Sequence, residues 1–362
     1  MTQSTPLLIY GANGYTGRLI VREAVACGLR PVLSGRDAVA LDVLSREHGL
    51  ESRPVGLADP RALDAALAGM RVVLHCAGPF AHTVRPMVEA CLRTHVHYCD
   101  ITGEIGVFEA LAAMSAAATA ARITLLPGVG FDVVPSDCLA LHLHERLPSA
   151  TRLTLAFDGG TGLSRGTATT MIENVGRGGA VRRNGRISKV PAAWKERDVD
   201  FGDRVRHCVT LPWGDVSTAF HSTGIPDIEV YAAMPRAAAR SLKMARYLGW
   251  ILATGPLQAL LKRKIRSRPA GPSDVQRRKA EALLWGEVAN AAGERVSATL
   301  RTPDGYTLTA LTAIRAATRL LSGDVRHGFC TPSMAFGADF ILEIRGVDRR
   351  EGAAVVDVEQ HN

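Results

Sequence analysis

The sequence predicts an α/β chain: an N-terminal domain built on a doubly wound parallel sheet, then a second α+β domain with a largely antiparallel sheet. Three observations carry this. At 362 residues the chain exceeds the roughly 250–300 at which a single core stops growing, so two domains are the default. Over roughly the first 130 residues, short apolar runs alternate with longer amphipathic ones, the pattern of repeated βα units over a parallel sheet. After about Pro135 the pattern changes to strand-like runs separated by long polar loops.

In the first domain, residues 1–134, strands are predicted at Leu7–Tyr10, Pro31–Ser34, Arg53–Leu57, Val72–Cys76, His97–Cys99 and Ile123–Leu126. Helices are predicted between them at Thr16–Cys27, Ala38–His48, Pro60–Ala68, Val84–Thr94 and Glu104–Ala121. Right-handed crossovers wind these units into one sheet. In the second domain, residues 135–332, strands are predicted at Arg152–Phe157, Val181–Val190, Val205–Leu211 and Ile228–Ala233. Leu284–Asn290 and Arg295–Arg301 flank a turn at Gly293 and read as a hairpin, and the Asp304-Gly305 turn leads into a helix over Leu308–Leu321. A last helical run, Met334–Ile344 within residues 333–346, is placed to pack back on the first domain.

The net charge is +8, but eight basic residues against one acid fall between Lys262 and Lys279. The rest of the chain is nearly balanced, which argues against a basic nucleic-acid surface over the fold. Seven cysteines, an odd number with no C-x-x-C pair, point to a reduced compartment and away from zinc. His95 with His97, and His142 with His144, lack an acidic or cysteine partner at ligand spacing, so no metal is expected. The N-terminus has no basic stretch and only a short apolar run, which predicts a cytoplasmic protein. Leu248–Leu261 is apolar for 14 residues and broken by Gly255-Pro256, short of the ~20 that span a bilayer. It reads either as a buried helix pair kinked at Pro256 or, with Tyr247, Trp250 and the basic run after it, as peripheral membrane contact through 245–279 or a cover for an apolar substrate.

Chemistry begins at Gly11-Ala12-Asn13-Gly14-Tyr15-Thr16-Gly17, which follows a predicted strand and opens a predicted helix. In that setting Gly11 allows the sharp turn, Gly14 admits a pyrophosphate and Gly17 lets helix and strand pack closely, the arrangement of a Rossmann dinucleotide site. The second strand ends in Ser34-Gly35-Arg36, where an NAD-binding domain carries an acid. A guanidinium there suits a 2′-phosphate, so NADP(H) is the predicted cofactor, with Ser34 adding a hydrogen bond. The fourth strand ends in Ala77-Gly78-Pro79-Phe80, a stiff turn able to lie along the cofactor. The fifth and sixth lead to Tyr98-Cys99-Asp100-Ile101-Thr102-Gly103-Glu104 and Gly130-Phe131-Asp132, so polar groups collect at one sheet edge. Asp100 and Glu104 read as a turn residue and a helix N-terminal charge, and Ser136 or Asp137 as the cap of a helix starting there.

These segments resemble the saccharopine dehydrogenase-like NADP-binding proteins, and among them the trans-acting enoyl reductases of lipid and polyketide assembly. The resemblance rests on Gly11 to Gly17, Ala77-Gly78-Pro79-Phe80, Asp100-x-x-Gly103-Glu104, Gly130-Phe131-Asp132-x-x-Pro135-Ser136-Asp137, Gly166-Thr167 and Thr331-Pro332-Ser333-Met334-Ala335-x-Gly337. Arg165 stands where the family pattern has a second glycine. The resemblance implies NADPH-dependent reduction of an activated C=C bond in a hydrophobic small-molecule or carrier-bound acyl substrate. Tyr98, Asp100 and Asp132 are then the candidates for stabilising or protonating the enolate. Two alternatives stay open. Saccharopine-type C–N oxidoreduction would need convergent arginines in the second domain, and a non-catalytic NADP-binding regulator would need no substrate site. No Tyr-x-x-x-Lys pair or His-Glu-x-x-His run occurs.

Overall fold

The computed structural model describes residues 5–160, 164–166, 168–169, 178–245, 263, 267, 269–323, 325–352 and 355–356. Thr167 and the apolar run Leu248–Leu261 lie outside these residues, as do Lys262, Lys264, Arg266 and Arg268 of the basic stretch. The chain divides into two compact units, one of residues 1–134 and 306–335 and one of residues 135–305 and 336–362.

The first unit runs β1 (Leu7–Tyr10), α1 (Tyr15–Ala26), β2 (Val32–Gly35), α2 (Ala38–His48), β3 (Ser52–Pro54), α3 (Pro60–Leu67), β4 (Val72–His75), α4 (Phe80–Thr94), β5 (His97–Asp100), α5 (Ile105–Ala113), α6 (Ser115–Ala120) and β6 (Thr124–Leu126). The caps explain where helices start: Asp37 accepts from Ala40 N before α2, and Asp59 accepts from Arg61 N and Ala62 N before Pro60 opens α3. The run from Glu104 to Ala121 is broken at Met114 into two helices.

The strands pair in the order β3-β2-β1-β4-β5-β6, all parallel. Every residue of β1, β2, β4 and β6 is buried, as expected for a parallel sheet covered by helices on both faces. The strand order reverses between β1 and β4, and dinucleotides bind at that switch point outside the carboxyl ends of the strands.

The second unit contains α7 (Val134–Arg146), β7 (Arg152–Asp158), β8 (Gly179–Arg183), β9 (Arg186–Val190), β10 (Glu196–Asp200), β11 (Val205–Thr210), α8 (Asp215–Thr223), β12 (Asp227–Ala233), α9 (Arg236–Ala245), α10 (Asp274–Lys279), β13 (Glu281–Ala289) and β14 (Glu294–Pro303). Its sheet is antiparallel apart from the β7–β12 pair. The run Val181–Val190 is not one strand: it folds back on itself at Asn184 and Gly185, both at positive φ, giving the β8–β9 hairpin. An Asn-Gly pair between β-forming residues is a strong hairpin signal, and it bisects that run. Helix α7 begins at Val134, so Ser136 and Asp137 lie inside its first turn rather than capping it. Ser136 Oγ instead donates to the buried Asp215 carboxylate at 2.8 Å.

The chain re-enters the first unit at Tyr306 through α11 (Gly305–Ser322) and β15 (Gly328–Phe329), which pairs parallel with β6 as a seventh strand. The returning segment is therefore earlier than Met334–Ile344. That run divides into α12 (Pro332–Phe336) and a 3-10 turn at Phe340–Glu343 around Gly337 at φ +88°, and from Phe336 onward it belongs to the second unit. Two further strands, β16 (Asp348–Glu351) and β17 (Val355–Val356), pair with β14. Among the described residues no helix is long and apolar enough to cross a membrane.

Candidate functional site

Five loops at the carboxyl edge of the parallel sheet, those after β1, β2, β4, β5 and β6, edge the site, and the glycine-rich turn comes first. Gly11 N and Ala12 N both donate to Ser34 O, at 2.8 and 3.2 Å, which binds the turn to the end of β2. Gly11 sits at φ +80°, and a Cβ there would stand 2.9 Å from Ala77. A Cβ on Gly17 would meet Gly11 O at 2.3 Å, so only glycine lets α1 pass so close beneath the turn. Gly14 differs: its φ is ordinary, and its only neighbour within 4 Å is Gly11 O at 3.3 Å. It is the N-cap of α1, with no side-chain cap and no acid in the first turn, so the helix presents its amides and partial positive charge to an anion. An open cradle of this kind fits a pyrophosphate. Asn13 Oδ1 faces Gly35, Arg18 Nε donates to Asn13 O, and the Tyr15 ring meets Tyr306 edge-on at 5.2 Å, with Thr16 next in the first turn of α1.

At the end of β2 the sequence-predicted pair separates. Ser34 is fully buried and its hydroxyl donates to Arg53 O at 2.7 Å. Arg36 is exposed and makes no ion pair among the described residues. Its charge favours ionisation of the Tyr10 phenol, though burial has the larger effect and raises that pKa overall. The adjacent acid, Asp37, is spent as the cap of α2.

The third loop, Ala77-Gly78-Pro79-Phe80, contains a cis Gly78–Pro79 bond and is held by side chains from both flanks. His75, buried among the rings of Tyr10, Phe80 and Tyr98, bonds Ala77 O through Nε2 at 3.2 Å. Burial pulls its pKa down to about 4, so the ring is neutral and Nε2 is the donor. Thr83 Oγ1 donates to the same carbonyl at 2.7 Å. Glu104, which the sequence suggests as a charge at the start of its own helix, accepts from Phe80 N and Ala81 N at 2.7 and 2.9 Å and so caps α4.

The loops after β5 and β6 sort the three residues put forward for chemistry. Tyr98 is fully buried, and its hydroxyl donates to Asp100 Oδ2 at 2.7 Å. Asp100 Oδ1 accepts from Thr102 N and Gly128 N, each at 2.9 Å, tying the turn after β5 to the one after β6. Burial raises the Asp100 carboxyl to about 6 despite these donors. Both side chains thus have their polar atoms engaged inside the core. Asp132 is partly buried and has no hydrogen-bond partner among the described residues, and burial alone lifts its carboxyl to about 6. It lies against Gly103, where a Cβ would come within 2.7 Å of its Oδ2. Asp100, Gly103 and Glu104 therefore do three separate jobs: joining two loops, making room for Asp132, and capping α4.

Residues 7–126 match the family model for the saccharopine dehydrogenase NADP binding domain. Over these residues the unit is similar to the NADP-binding domain of saccharopine dehydrogenases. NADP(H) is its cofactor, in keeping with a β2 end whose acid is turned into a helix cap. Curated relatives include the trans-acting enoyl reductase of Mycobacterium leprae, 34% identical over 151 residues, which are 39% of this chain and 36% of that protein. A saccharopine dehydrogenase-like oxidoreductase of Homo sapiens is 27% identical over 161 residues, 39% of this chain and 38% of that one. The matches thus span about a third of the relatives' own length. The fold is that of apo saccharopine dehydrogenase (L-Glu forming) from Saccharomyces cerevisiae, with a TM-score of 0.66 over 96% of this chain and 99% of that one at 12% identity.

Proposed function

We propose that the chain is an NADPH-dependent oxidoreductase that reduces an activated C=C bond in an acyl intermediate, with Asp132 as the proton donor. The observation that carries this reading is Asp132 itself, a carboxyl at the carboxyl edge with no partner among the described residues and held near 6 by burial. A general acid works best with a pKa close to the operating pH. The relatives named trans-acting enoyl reductase support the reaction class. Two arginines of the second unit are engaged within it: Arg182 is buried on Val216 O and Gly185 O, and Arg206 is paired with Asp158 and Asp203.

When bound, NADPH supplies a hydride to the β-carbon of the unsaturated acyl group. The electron pair of the double bond then moves toward the carbonyl as an enolate, and Asp132 gives up its carboxyl proton to the α-carbon. The turn at Ala77–Phe80 is fixed by His75, Thr83 and Glu104. Because the acid is competent only while protonated, kcat is expected to fall as pH rises through about 6. With a short 2-enoyl thioester and NADPH oxidation as readout, Asp132→Asn is expected to lower kcat by about 10²–10⁴-fold and to abolish that pH dependence, with NADPH affinity unchanged. A variant that keeps the wild-type rate and pH profile would remove Asp132 from the reaction.

Cofactor choice has its own test. Arg36→Ala is expected to weaken NADPH binding at least tenfold, about 1.4 kcal/mol, with NADH binding nearly unchanged by titration calorimetry. Equal weakening of both would make Arg36 structural. For the partner we propose a hydrophobic or carrier-bound acyl substrate.

A further inference from the structure

Helix α11 enters the first unit from far downstream, and one of its faces meets two of the loops that edge the site. Tyr306, in its first turn, packs edge-on against Tyr15 of the glycine-rich turn. Three residues on, Thr309 Oγ1 accepts the Phe131 N–H at 3.0 Å. The same side chain fills the space over Gly130, where a Cβ would lie 3.0 Å from Thr309 Cγ2. Three residues further, Thr312 Oγ1 donates to Val129 O at 2.7 Å. The spacing of three puts all three side chains on one helix face. Threonine is a weak helix former, yet Thr309 and Thr312 are both buried where they bond this loop. Residues 129–131 are thus fastened in succession to one rigid element, and Asp132 is the next residue of the chain.

We propose that Thr309 is a positioning residue: by holding the Phe131 amide, it sets the Asp132 carboxyl in its pocket against Gly103. The inference rests on the reading of Asp132 as proton donor. Gly103, against which the carboxyl lies, is not titratable, and burial alone accounts for the raised carboxyl. With the amide released, the loop moves outward, the carboxyl gains water and its titration moves toward the ordinary aspartate range.

The test uses the full chain labelled with [γ-13C]aspartate, the Asp132 signal being identified by its loss in Asp132→Asn. The carboxyl is titrated by NMR in wild type, Thr309→Val, Thr309→Ala and Thr309→Ser. In Thr309→Val and Thr309→Ala, which both remove the acceptor, the midpoint is expected to drop by about one pH unit or more. Thr309→Ser keeps the hydroxyl and restores the wild-type midpoint, and NADPH affinity stays within about twofold throughout. Because alanine leaves the helix free to form, a misfolded valine variant does not remove the test. Unchanged midpoints in the acceptor-less variants overturn the proposal, as does a serine variant that shifts with them. A wild-type midpoint near the ordinary aspartate range would instead sink the proton-donor reading, while the difference between variants still judges Thr309.

Discussion

Gly14→Val is expected to abolish NADPH binding, by at least about 100-fold, in a chain that still folds, whereas Gly17→Val is expected not to fold. Both glycines lie in one seven-residue turn, yet they are constrained by different neighbours. Gly14 has φ −70°, which any residue adopts, and its only close contact is one carbonyl oxygen at 3.3 Å, which a shift of a few tenths of an ångström relieves. A branched side chain there points into open space, the space a pyrophosphate needs to approach the amides of α1. Gly17 would place its Cβ 2.3 Å from Gly11 O and 2.9 Å from Ala12 O, both backbone atoms. Relief means prising α1 from β1, where Leu8, Tyr10 and Ile20 are fully buried. Overpacking a well-filled core costs about 1–3 kcal/mol, and a clash with backbone costs more, a large share of the 5–15 kcal/mol that holds a typical domain together. Circular dichroism melting and calorimetric titration of the two variants check this. NADPH binding by a folded Gly14→Val chain would place the cofactor elsewhere.

The second large effect is expected at Asp100. Asp100→Ala should lower stability by about 3–5 kcal/mol, because it strands the Tyr98 hydroxyl and the Thr102 and Gly128 amides, and a buried donor left without a partner costs about 1–3 kcal/mol. Asp100→Asn separates the hydrogen bonds from the charge. Its amide oxygen can take over both backbone N–H groups, and its NH2 can donate to a Tyr98 hydroxyl that turns round, so a loss of only about 1 kcal/mol is expected. Urea unfolding of the two variants measures the difference. If asparagine proved as damaging as alanine, the negative charge and not the hydrogen bonding would be what this position supplies.

The glycine-rich turn was legible in the sequence because its chemistry is local: three glycines within seven residues, a strand before and a helix after are all that such a cradle requires. The βα alternation was legible for the same reason, since burial on both faces of a parallel sheet writes itself as short continuous apolar runs. Ser34 and Arg36 look alike in the sequence as candidate cofactor contacts; in the structure the Ser34 hydroxyl is taken by Arg53 O, 19 residues on, while Arg36 is exposed. Likewise Tyr98, Asp100 and Asp132 look alike in sequence, three polar residues at strand ends. Folding separates them, closing two into a buried network with the Gly128 amide and leaving the third beside Gly103 with no partner among the described residues. Glu104 acquires its task as a cap only because β4 and β5 are neighbours, which brings Phe80 and Ala81 to it from 24 and 23 residues away. The periodicity of Leu308–Leu321 showed a helix but not which sheet it serves. Its apolar face could cover either, and what assigns it is the pairing of β15 with β6 and the bonds from Thr309 and Thr312 to a loop some 180 residues earlier, contacts that no local pattern encodes.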